Sequence, residues 1–229
     1  MSNNFLTTLF DFFLPRFCPS CEQKLLVKEI SICNSCINSI NIASQKLIDL
    51  EFKKKFLEKG LVNAFTTPFI FEKEKELQSI IHSIKYSNKF SVGIKLGEIV
   101  ADKCREKIKS WNIDLITPVP LHSLKKVNRG YNQSYYIAKG LGKYLNIRVS
   151  RKLLKRVKFT QTQTTLTLAE RQVNVENAFK IRKKGVAKGK NILLVDDVIT
   201  TGATSNECAK VLLESGAKRI YACSSAIAQ

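Results

Sequence analysis

The chain has 229 residues and a mass of 25.9 kDa, room for one domain of ordinary size and a small appendage. A hydrophobic share of 44% and a mean hydropathy of −0.10 exclude wholesale disorder, and no apolar run reaches the roughly 18 residues a membrane-spanning helix needs. Lys and Arg outnumber Asp and Glu 38 to 19, a formal charge of +19 that requires an anionic partner: nucleic acid, a phosphorylated metabolite or an acidic membrane.

The pattern of Phe5, Leu6, Leu9, Phe12 and Phe13 predicts an amphipathic helix over residues 1–14, ended by Pro15. It lacks the basic start and small-residue cleavage site of a secretory signal, so the expected location is the cytoplasm. Two Cys-x-x-Cys pairs follow, Cys18 with Cys21 and Cys33 with Cys36, eleven residues apart. Two such knuckles can present four thiolates to a tetrahedral zinc ion, and a closed four-thiolate shell is structural rather than catalytic. A disulfide framework is the competing reading, and nothing secretory supports it. The expected zinc-ribbon module covers residues 15–45. Glu22 stands where such knuckles often carry Gly.

Beyond the module the pattern predicts a helix near 43–59, a strand over 62–71 and helices over 75–86 and 91–111. A short strand follows at 114–119, then a helix over 133–145, in which Gly140 and Gly142 are unfavourable. Residues 151–157, 191–195 and 219–225 read as strands, and 204–214 as a helix stopped by Gly216. Cys104, Cys208 and Cys223 fall in apolar patterns as ordinary buried cysteines. Strands alternating with helices predict an α/β fold, a mainly parallel sheet flanked by helices, in a domain over 60–229.

The strongest chemical signal runs from Asn191 to Thr204. An apolar strand delivers Asp196 and Asp197 at its C-terminal end, where parallel sheets bind ligands. Val198, Ile199, Thr200, Thr201, Gly202, Ala203 and Thr204 then form a loop of small and hydroxyl residues at a helix start. Its N–H groups and hydroxyls suit a phosphate, and the carboxylates suit ribose hydroxyls. Thr204 and Glu207 have capping-box spacing. No Gly-Lys-Ser/Thr follows, so this is not a Walker loop.

This segment resembles the phosphoribosyl pyrophosphate (PRPP) signature of type I phosphoribosyltransferases. From Pro15 almost to the end, the chain resembles the ComF family of competence-associated proteins. The resemblance is carried by the paired Cys-x-x-Cys motifs, Lys85-Tyr86, Thr117-Pro118-Val119-Pro120-Leu121-His122 and Arg129-Gly130-Tyr131-Asn132-Gln133. It continues through Arg156, Thr160, Gln163, Leu166, Arg171, Asn174 and Phe179 to the signature. It implies a pyrophosphate-binding stretch with His122, Lys125, Lys126 and Arg129. It also implies a mobile loop over 159–173 with Thr160, Gln163 and Arg171.

The implied activity is Mg²⁺-dependent displacement of pyrophosphate from PRPP by an unidentified acceptor. The alternative is a non-catalytic adaptor that binds single-stranded DNA. Single-stranded DNA and other competence proteins are the further partners the resemblance implies, and a homo-oligomer is compatible with it. Residues 120–190 hold 18 of the Lys and Arg residues but only two acids, Glu170 and Glu176. PRPP is too small to use them all, and the surplus in 148–158 and 180–190 points to a larger polyanion.

Overall fold

A computed structural model describes residues 13–86, 89–124, 130–158 and 175–228. Its centre is an apolar strand, β6 (Asn191–Ile199), in which Ile192, Leu193, Leu194 and Val195 are all buried. Four consecutive buried residues require cover on both faces, which a parallel sheet between two helical layers supplies. β7 (Arg219–Ile227) runs parallel on one side and β3 (Leu115–Pro118) on the other. The outer edge of β7 is taken, also in parallel, by β1 (Ala64–Thr66) and β2 (Phe69–Ile70). The single strand expected over 62–71 is thus two pieces, because Pro68 lacks the N–H a continuous ladder needs. A parallel bridge from Ile116 to Val149 adds a short rung beyond β3.

The helices are α1 (Asn34–Ser39), α2 (Gln45–Phe52), α3 (Glu76–Tyr86), α4 (Phe90–Lys103), α5 (Arg105–Ser110), α6 (Gln133–Leu145) and α7 (Ala203–Glu214). One face of the sheet packs on α3, α4 and α6, through Leu193 and Val195 of β6. This core also contains Leu25, Ile32 and three of the four module cysteines. The other face packs on α2 and α7, through Ile192 and Leu194. Successive β6 side chains alternate between the layers, as the pleat dictates.

Three expected elements differ. The helix over 91–111 breaks at Cys104, whose backbone leaves the helical region (φ −105°, ψ 8°), giving α4 and α5. The helix near 43–59 is α2 followed by a π-helical turn, Lys53–Leu57, anchored by buried Phe56. The strand expected over 151–157 is β4 (Leu154–Arg156), which does not join the main sheet. It pairs antiparallel with β5 (Phe179–Ile181) in a separate ribbon. The helix expected over 1–14 lies outside the described residues except for its last two positions. Among the described residues no helix is long and apolar enough to cross a membrane.

The glycines that looked unfavourable in α6 have a packing reason. A Cβ on Gly140 would lie 2.0 Å from the Ile94 carbonyl oxygen, and one on Gly97 of α4 would lie 2.0 Å from that of Ile137. The two helix backbones are in direct contact, which offsets the roughly 1 kcal/mol each interior glycine costs. Gly140→Ala is expected to destabilise the fold by about 3 kcal/mol through overpacking, read as a lower urea unfolding midpoint. An unchanged midpoint would show that the helices can separate freely.

Candidate active site and four-cysteine centre

The pleat assigns the two adjacent carboxylates different surroundings. Asp197 faces the α3 and α6 layer. Lys85, in the last turn of α3, places Nζ 3.0 Å from its Oδ2. Gln133 Nε2 donates to the same oxygen at 3.3 Å, and the Val198 N–H donates to Oδ1 at 2.8 Å. Burial pushes the Asp197 carboxyl up, but the Lys85 charge and these hydrogen bonds more than offset it and leave it below the usual range.

Asp196 receives a hydrogen bond from Ser134 Oγ at 2.9 Å and one from the Asp197 N–H at 2.9 Å. These do not compensate. Burial, and then the neighbouring Asp197 charge, push its carboxyl from 3.8 up to about 8. The two acids are therefore unequal: one held charged by a lysine, the other holding its proton at neutral pH. Arg156 of β4, stacked 5.3 Å over the Phe179 ring, adds a positive field on the Asp196 side.

Beyond the carboxylates, the chain turns through Thr200 and Thr201 into α7. A small cavity is lined by Asp196 and by every residue from Val198 to Ser205. Gly202 caps α7 with φ +74°, a left-handed conformation glycine adopts without strain. Its lack of a side chain also lets the loop sit on the π-turn, since a Cβ there would lie 3.0 Å from the Lys55 carbonyl oxygen. That carbonyl accepts from Asn206 Nδ2 at 2.8 Å, tying α7 to the π-turn. Lys55 is held in turn by buried Glu51 at 2.7 Å. Chemically the cavity offers hydroxyls and a helix N-terminus, the donors an anion needs.

The expected capping box does not form. The N-cap Gly202 has no side chain to cap α7, and Thr201 Oγ1 accepts from the Ala203 N–H at 3.3 Å. The Glu207 carboxylate accepts from the Asn177 N–H at 2.8 Å, which draws it away from the helix start.

The residues Asp196, Asp197, Val198, Ile199, Thr200, Thr201, Gly202, Ala203 and Thr204 thus stand together as one strand end and loop. His122 is buried just past β3, where its Nδ1 accepts from the Leu124 N–H at 3.2 Å. Lys125, Lys126 and Arg129 lie outside the described residues, as do Thr160, Gln163 and Arg171. Lys85, Gln133 and Ser134 are contacts that motif reading did not assign to the site. Gln133 and Ser134 open α6 behind the Asn132 N-cap, and this position at a helix start near a strand end was the available signal. For Lys85 the available signal was its place in the Lys85-Tyr86 pair that carries the resemblance.

The four cysteines also converge. The sulfurs of Cys18, Cys21, Cys33 and Cys36 all lie within 4.8 Å of one another, with Cys21 and Cys33 3.7 Å apart. Zinc–thiolate bonds of about 2.3 Å put tetrahedral sulfurs about 3.8 Å apart, so the donor set fits such an ion. Burial raises the Cys18 thiol, but hydrogen bonds to it, first from the Cys33 backbone, bring it down to about 7. Burial pushes Cys36 the other way. Glu22 takes the left-handed conformation itself, at φ 59°, where glycine is usual.

The model of the phosphoribosyl transferase domain matches residues 132–227, the stretch from the start of α6 to the end of β7. Competence protein F of Haemophilus influenzae is 28% identical over 208 residues, 89% of this chain and 86% of its own. The DNA utilization protein YhgH of Salmonella typhimurium is 25% identical over 217 residues, 90% of this chain and 95% of its own. Along most of its length the chain is thus similar to competence protein F and its DNA utilization relatives. Among solved structures, the glutamine PRPP amidotransferase of B. subtilis, complexed with ADP and GMP, is similar with a TM-score of 0.41 and 24% identity. That match covers 59% of this chain and 26% of the amidotransferase. The domain match begins at Asn132, so Lys85 and the four cysteines lie outside it.

Two outcomes follow from the geometry. Metal analysis of the purified protein is expected to find one zinc ion per chain, lost in Cys36→Ser with a lower thermal midpoint. Full stability without metal would make the cluster dispensable. The raised Asp196 pKa means the folded state holds a proton that the unfolded chain releases. Its stabilisation is complete below about pH 4 and is lost as pH rises through about 8. Asp196→Asn is therefore expected to exceed the parent in stability by roughly 1–3 kcal/mol at about pH 8.5, and by less at lower pH, in urea unfolding. Equal stability at the higher pH would contradict the unequal pair.

Proposed function

We propose that this protein binds PRPP together with Mg²⁺ and transfers the phosphoribosyl group to an acceptor, releasing pyrophosphate. The observation that carries the reading is the continuity of Asp196 and Asp197 with the threonine-rich loop that opens α7. Thr200, Thr201 and the N–H groups at the start of α7 would hold the 5-phosphate. Asp197, charged, would accept a hydrogen bond from a ribose hydroxyl, and Asp196, protonated at neutral pH, can donate one to a ribose oxygen. His122 with Lys125, Lys126 and Arg129 would hold the pyrophosphate, and Thr160, Gln163 and Arg171 would close over the ligand and exclude water.

In the transfer, the bond from ribose C1 to pyrophosphate breaks, the electron pair leaves with pyrophosphate, and the acceptor's lone pair forms the new bond at C1. Basic side chains stabilise the departing charge. The charged Asp197 carboxylate would offer Mg²⁺ an oxygen ligand on the side where the pyrophosphate leaves, and the ion when bound would neutralise the leaving charge. Zinc in the four-cysteine centre is a structural ion in this reading.

A second role, DNA binding, is favoured by the β4–β5 ribbon. Lys155 and Lys180 stand directly opposite each other across it and are both exposed, a like-charge pair that costs stability until a polyanion relieves it. The names of the relatives, competence protein F and DNA utilization protein, support a role in handling incoming DNA, with the cytoplasm as its location.

Calorimetry with Mg²⁺ is expected to show PRPP binding that is lost when Asp196 and Asp197 are both replaced by Ala. In parallel, an oligonucleotide should bind with an affinity that falls linearly in log salt, and less steeply after Lys155→Ala with Lys180→Ala. Undetectable PRPP binding overturns the first role, and an unaltered salt slope removes the ribbon from the second.

A further inference from the structure

We propose that Lys85 is a ligand-binding residue that engages the pyrophosphate end of PRPP, supplied by α3 and not by either phosphate loop. The inference rests on the PRPP reading above and deepens it.

Asp197 does not need Lys85 to satisfy its hydrogen bonding. The Val198 N–H and Gln133 Nε2 already serve its two oxygens, at 2.8 and 3.3 Å. The ammonium 3.0 Å from Oδ2 supplies charge at this point. It also lies on the open side of the pair, since the Lys85 side chain is 26% exposed and that of Asp197 11%. An ammonium carries three N–H donors, so contact with a carboxylate is compatible with contact with a phosphate oxygen.

Position identifies which part of the ligand it meets. The loop cavity is lined by Asp196 and the residues after Asp197, but not by Asp197 or Lys85. Asp197 and Lys85 occupy the α3 and α6 side of the strand end. A sugar whose 5-phosphate sits in the threonine loop and whose hydroxyls meet the carboxylates directs C1 away from the loop, toward α3 and α6. C1 carries the pyrophosphate. The only groups of this ligand on that side with charge to match an ammonium are its phosphates.

The lysine is also presented rigidly. Ile80, Ile81 and Ile84 of α3 are buried in the core, and the Tyr131 hydroxyl donates to the Ile84 carbonyl next to Lys85. The long side chain therefore starts from a fixed backbone position, which lowers the ordering cost of gripping a ligand.

The test compares two ligands on the full chain by calorimetry with Mg²⁺: PRPP, and ribose 5-phosphate, which lacks the pyrophosphate. In Lys85→Gln, PRPP affinity is expected to fall about tenfold further than ribose 5-phosphate affinity, whose own loss reflects only the charge that Lys85 lends to Asp197. Lys85→Arg, which keeps the charge, should retain most of the preference. The ratio of the two affinities is read within one sample, so partial unfolding of a variant cancels. Equal losses for both ligands would mean that Lys85 acts only by orienting Asp197, and would overturn the proposal, as would no loss for PRPP. If the parent protein binds neither ligand, the PRPP reading itself falls and Lys85 with it. If the parent binds both and Lys85→Gln is silent, only the role of Lys85 falls.

Discussion

Two carboxylates on consecutive residues at the end of a buried strand cannot both be charged unless something compensates them, because burial and mutual repulsion each oppose ionisation. The structure meets this constraint asymmetrically. Lys85 and Gln133 hold Asp197 in its charged form, while Asp196 keeps its proton against Ser134. The strand pleat makes the asymmetry available by sending the two side chains toward different helical layers. α3 serves Asp197 through Lys85, while the start of α6 reaches both carboxylates, Gln133 to Asp197 and Ser134 to Asp196. α7 and the β4–β5 ribbon border Asp196 on the other side.

The four-cysteine centre belongs to the same arrangement. Cys18, Cys33 and Cys36 share a continuous apolar core with Ile80, Ile81 and Ile84 of α3. The module is too small to hold itself together by burial, and it leans on the helix that carries Lys85. An ion held by the thiolates would brace the helix that presents Lys85 to Asp197.

Much of this was legible in the residue order. The α6 boundaries, Gln133–Leu145, match the pattern, because its apolar face and Asn132 cap are both local. The strand–loop–helix at 191–214 was readable for the same reason, and the cysteine spacing pointed to a closed cluster. The interruption at Cys104 and the π-turn at Lys53–Leu57 were not readable, since each reflects packing against distant residues and not a local breaker. Glu207 was misread because its partner, Asn177, is remote in sequence. Lys85 stood in the Lys85-Tyr86 motif, but its role was not readable because its partner Asp197 lies far along the chain and is brought to it only by the fold.

The contact of α4 with α6 has a geometrical consequence for the site. Gly140 lies seven residues from Gln133, about 10 Å along a rigid helix. With backbone resting on backbone at Gly97 and Gly140, no side chain can flex to absorb a displacement. α6 is therefore a beam with a hard bearing at mid-span and two hydrogen-bonding groups at its tip. Any change in the bearing, however far from solvent, is carried along the helix to Gln133 and Ser134. The alignment of the two carboxylates with their partners depends on the absence of two methyl groups.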